Sequence, residues 1–60
     1  MRASVSFDMQ TDEKVSKEQF KEWIEFELGI KPDMGSLNPM VMYDIDDVIQ
    51  HFTFHIYITE

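Results

Sequence analysis

Sixty residues with five Lys/Arg, twelve Asp/Glu and a formal charge of −7 describe one small acidic domain, too short to build two cores. The lack of cysteine excludes disulfides and thiolate zinc sites, and no apolar run is long enough to span a bilayer. The charge opposes binding to nucleic-acid phosphates or anionic membranes, while 43% hydrophobic and 13% aromatic residues separate the chain from disordered acidic tails.

In residues 2–10, Ala3, Val5, Phe7 and Met9 alternate with Arg2, Ser4, Ser6, Asp8 and Gln10. This period of two predicts a half-buried strand. Residues 11–14 form a polar turn, and Ser16 with Gln19 three positions later makes a capping box for a helix over 17–28. Val15 and Phe20 stand at the positions of a hydrophobic staple. Gly29 offers a left-handed cap and Pro32 prevents continuation. Phe20, Trp23, Ile24, Phe26, Leu28 and Ile30 make a broad apolar arc, wider than one small sheet needs. Trp23 and Phe26 are expected to wrap a small core, the alternative being that one flank of the helix is an interaction surface.

Two prolines, two glycines and an Asn-Pro step make 29–39 a loop. Residues 40–44 are expected to form a strand followed by a tight acidic turn; the alternative is that Asp44 caps a helical turn over Ile45–Gln50. Residues 51–59 are the clearest strand, with Phe52, Phe54, Ile56 and Ile58 on one side and His51, Thr53, His55, Tyr57 and Thr59 on the other. The expected fold class is therefore α+β, a single helix packed on one face of a two- to three-stranded sheet in the order β-α-β-β, within one mini-domain, 1–60. Phe20, Trp23, Ile24 and Leu28 would pack onto Val5, Phe7, Phe54, Ile56 and Ile58. Loss of either Trp23 or Phe54 to alanine would then cost about 3–5 kcal/mol.

No enzyme pattern assembles. His51 and His55 lie about 13 Å apart along an extended strand, too far to share one metal ion. Asp44, Asp46 and Asp47 lack the glycine and closing glutamate of a calcium loop. No nucleophile, base and acid converge in sequence. The expectations are no catalysis, no cofactor, no metal and a cytoplasmic location. Aromatic and hydroxyl groups on a sheet face, such as Tyr57 and His55, could stack bases, but the basic footprint that accompanies such sheets is missing.

All five basic residues fall in 1–31, while 32–60 holds Asp33, Asp44, Asp46, Asp47 and Glu60 with no Lys or Arg. Such a field favours a protein partner with a basic surface. The functional expectation is an acidic inhibitor or modulator that occupies that surface through Asp33, Asp44, Asp46 and Asp47, with Tyr43, Tyr57 and His55. Asp44 and Asp46 on extended backbone would stand about 6–7 Å apart. That is close to a phosphate spacing, so nucleic-acid mimicry enters by analogy with acidic anti-host inhibitors of phage and mobile elements. The alternative is a self-assembling module, a homodimer through the unprotected edge strand 51–59 and the helix flank.

Overall fold

The alternating segments at the two ends of the sequence pair with each other. The computed structural model describes residues 1–60 as β1 (Arg2–Met9), α1 (Lys17–Glu27), a 3-10 turn (Pro39–Met42), α2 (Ile45–Val48) and β2 (Ile49–Thr59). It is an α+β chain whose β1 and β2 form a two-stranded antiparallel ribbon. Arg2 lies opposite Thr59, Ala3 opposite Ile58, Val5 opposite Ile56 and Ser6 opposite His55. The register then shifts, so that Asp8 faces Gln50 and Met9 faces Ile49. Phe7 alone thus opposes residues 51–54, a bulge that interrupts the ladder. Thr53 bridges the gap: its Oγ1 accepts from the Asp8 N–H at 2.7 Å and donates to the Gln50 carbonyl. Phe7 and Phe54 pack across the bulge with ring centroids 4.9 Å apart.

Local chemistry fixes α1 at both ends. The Ser16 hydroxyl accepts from the Gln19 N–H, and the Gln19 side chain accepts from the Ser16 N–H, both at 3.1 Å. At the other end Gly29 adopts φ +77°. Its N–H donates to the Phe26 carbonyl, and the Ile30 N–H donates to the Glu25 carbonyl at 2.8 Å, the paired bonds of a Schellman ending.

The core is small. Trp23, Met40 and Val48 are buried, with Met9, Val15, Phe20, Ile24, Met34 and Tyr43 packed around them. The Trp23 indole N–H donates to the Tyr43 carbonyl at 3.2 Å, so its polar edge is satisfied inside the cluster. Asn38, the buried polar residue, ties the loop to the helix. Its amide donates to the Gln19 carbonyl at 2.8 Å and to Glu22 Oε1 at 3.0 Å, while its oxygen accepts from the Met40 N–H at 2.9 Å.

Two expectations are corrected. Residues 40–44 are not a third strand, and the sheet has two. Asn38 caps and Pro39 starts a 3-10 turn, a combination of acceptor side chain and fixed φ that favours helical geometry. Asp44 then stands at the N-cap of α2, a shorter form of the alternative named above, since Ile49 and Gln50 already belong to β2. The helix also does not spread over the strand face. Trp23 enters a pocket made with Met40 and Val48, whereas Val5, Leu28, Ile56 and Ile58 are exposed and Phe54 is 39% exposed. The ribbon runs past the helix and gives the chain extents of 43 × 25 × 17 Å.

Trp23→Ala is therefore expected to cost about 3–5 kcal/mol, about the whole stability of a chain this size, and to leave it unfolded in urea titrations followed by circular dichroism. Phe54→Ala is expected to cost only about 1–2 kcal/mol and to remain folded. Asn38→Asp replaces two donated hydrogen bonds by an acceptor facing a carbonyl and a carboxylate. In the same assay it should destabilise by about 1–3 kcal/mol, with more loss than Asn38→Ala.

Candidate binding surface

The chain's carboxylates are largely left without basic partners. Among twelve Asp/Glu the one ion pair is Lys31 with Glu25, at 3.9 Å and partly exposed, a weak interaction in water. Several of the remaining acids gather where the β1–α1 turn meets the start of α2. Gln10, Thr11, Asp12, Glu13 and Lys14 form one wall of a shallow open depression, and Tyr43, Asp47, Val48 and Gln50 form the other.

Backbone geometry brings these walls together. Gln10 extends the ribbon by donating its N–H to the Val48 carbonyl at 3.1 Å. The Glu13 N–H donates to Thr11 Oγ1 at 3.1 Å, which turns the chain so that Glu13 faces Tyr43. The Tyr43 hydroxyl donates to Glu13 Oε2 at 2.9 Å, and the Tyr43 carbonyl is held from behind by Trp23. On the same side the Asp44 N–H donates to Asp47 Oδ2 at 3.1 Å. The hydrogen bond to Glu13 raises the Tyr43 phenol above its ordinary value of 10.0. The negative charge of Glu13, loss of solvent, and the charges of Asp47 and Asp12 act in the same direction.

The anticipated residues are divided among three places. Tyr43, Asp44, Asp46 and Asp47 stand together at the entry to α2, with Tyr43 and Asp47 lining the depression. Asp33 is exposed in the loop after α1. His55 and Tyr57 are in the projecting ribbon opposite Ser6 and Ser4, on the face that carries the polar alternation. Asp46 lies in α2, so the extended-backbone spacing that suggested phosphate mimicry does not occur between Asp44 and Asp46. Asp12 and Glu13, read in sequence as a polar turn, belong to the acidic surface. Their partner Tyr43 is thirty residues away, and no local pattern signals that pairing.

What this surface can do chemically is accept cations. Its carboxylates are solvent-facing, no group of three or more His, Asp or Glu is placed to hold a metal, and no buried side-chain polar atom lacks a partner. His51, the other candidate ligand, stacks its ring on Phe54 at 6.0 Å. No helix is long and apolar enough to cross a membrane.

The phenol supplies a direct test. Because folding raises the pKa of Tyr43, the stability it contributes is complete below about pH 10 and is lost as the pH rises through the folded value. In an NMR titration of the ring, assigned with Tyr43→Phe, the wild-type transition is expected above that of Glu13→Gln. Coincident transitions would contradict the Tyr43–Glu13 contact.

Comparison with known proteins finds no matching family model, no matching curated protein and no matching solved structure.

Proposed function

We propose that this chain is a binding protein whose acidic end occupies a basic surface on another protein and so blocks or modulates it. The observation that carries the reading is the set of carboxylates left unpaired in a −7 chain and drawn together by the fold. Asp12, Glu13 and Asp47 flank Tyr43 in one depression, with Asp44 and Asp46 on the adjoining turn. Such a field accelerates encounter with a cationic partner and disfavours polyanions. Tyr43 adds an aromatic surface on which a lysine stem or arginine plane can rest. Asp33, at a separate place, would broaden the footprint. Nothing in this reading requires catalysis, a cofactor or direct contact with nucleic acid.

The test uses two baits in parallel, wild type and the triple variant Asp12→Asn, Asp46→Asn, Asp47→Asn. The amide introduced by Asp47→Asn keeps an oxygen able to accept from the Asp44 N–H, so the fold should persist. Wild type is expected to retain a basic protein in stoichiometric amount from cell extract and to release it at roughly a few hundred millimolar salt, where the Debye length falls below ~8 Å. The triple variant should bind it with a slower on-rate and a flatter salt dependence. Equal retention by both baits would sink the acidic-surface reading.

A further inference from the structure

The molecule carries more surface than its mass accounts for. It exposes 4996 Å², whereas a monomeric protein of 7.2 kDa is expected to expose about 4,100 Å². The surplus of about 900 Å² is close to the ~800 Å² that each partner contributes to an interface of standard size. The radius of gyration agrees: 13.2 Å, against about 10 Å for a globular chain of sixty residues and about 14 Å for one of twice that length.

Part of the surplus is on the projecting ribbon. Val5 is 54%, Ile56 65% and Ile58 59% exposed, and cross-strand pairing puts Val5 beside Ile56 and Ala3 beside Ile58 on one face. Phe54 shares their alternation. A groove lined by Val5, Phe7 and Phe52 continues this apolar strip to Ile24 and the half-exposed Leu28 on α1. The opposite face carries Ser4, Ser6, His55 and Tyr57. A two-stranded ribbon is marginal in water unless a face is covered, and here the helix covers only its base.

We infer that a second copy of this chain covers this face. Two ribbons pack face to face about a two-fold axis, making two layers about 10 Å apart. Charge favours this occupant. Residues 3–7 and 52–59 contain no Asp, Glu, Lys or Arg, so two copies of net charge −7 meet along the ribbons without opposed carboxylates, with Asp8 lining the groove only at the base. Antiparallel packing places their acidic ends at opposite poles of the assembly. A basic protein would find on this strip no acid beyond Asp8 at its base. The dimer is independent of the acidic-surface reading, since the two surfaces share only Gln10 and Gln50 at their border and no carboxylate.

Sedimentation equilibrium from low micromolar to near-millimolar protein is expected to give twice 7.2 kDa at the upper end, with a melting temperature that rises with concentration. Ile56→Lys should return the mass to that of one chain, while Tyr57→Lys, on the polar face, should leave the dimer intact. A wild-type chain that stays at 7.2 kDa throughout would overturn the inference, and so would an Ile56→Lys variant that dimerises as wild type does. A measurement on wild type stands even if Ile56→Lys does not fold: isotope-filtered NMR on mixed labelled and unlabelled copies. Intermolecular methyl contacts among Val5, Ile56 and Ile58 are expected. Intermolecular contacts confined to strand-edge amides, or to α1, would overturn the face-to-face arrangement.

Discussion

Trp23 is the point at which the long connection between the two strands becomes a structure. Its ring is fully buried against Met40 and Val48, and its indole N–H fixes the carbonyl of Tyr43. One side chain therefore relates α1 to the 3-10 turn and to α2, and through Val48 to the ribbon, since the Val48 carbonyl accepts from Gln10. Phe20 stacks on Trp23 one helical turn earlier at 6.0 Å, widening the apolar contact with little backbone to order. Asn38 does the polar half of the same task by hooking the loop to two groups of α1. A large aromatic residue and one satisfied amide substitute for the bulk of a conventional core.

A core so small leaves the chain's two chemistries spatially separate. The carboxylates collect around the turn before α1 and the start of α2, where Tyr43 and Glu13 meet. Uncovered aliphatic residues line one face of the ribbon, where Val5, Ile56 and Ile58 are exposed. In a larger domain the second set would be interior and the first would be diluted by basic neighbours. Here the elongated shape keeps both at the surface and prevents either from cancelling the other.

Features governed by a few consecutive residues were legible in the sequence. The capping box of Ser16 and Gln19 and the ending at Gly29 need only side chains within reach of nearby backbone groups. The alternation of residues 2–10 and 51–59 likewise identifies strands whatever they pair with. Residues 40–44 misled because Met-Val-Met-Tyr is apolar enough for a strand, while the decisive groups are Asn38 and Pro39 just before it. The buried face misled for a different reason. Phe54, Ile56 and Ile58 have the pattern of a covered strand, but coverage depends on where α1 is tethered, and Trp23 and Asn38 tether it to the 3-10 turn. The acidic surface was half visible: Asp44, Asp46 and Asp47 are neighbours in sequence, whereas Asp12 and Glu13 join them through long-range contacts, the pairing of Gln10 with Val48 and of Tyr43 with Glu13.

The pairing of β1 with β2 also sets the order in which the molecule can assemble. Arg2 finds its partner at Thr59, so during synthesis the first strand waits, unpaired, until nearly every other described residue has left the ribosome. The capped helix can form early from its own residues, and its docking on Met40 closes a much shorter stretch of chain. Ribbon closure spans the longest stretch of chain and carries the largest loop entropy. For that interval Val5 and Phe7 form part of an open strand with both edges free. Ser4 and Ser6, flanking Val5, and Arg2 before them are what keep the nascent strand polar on one face until β2 arrives.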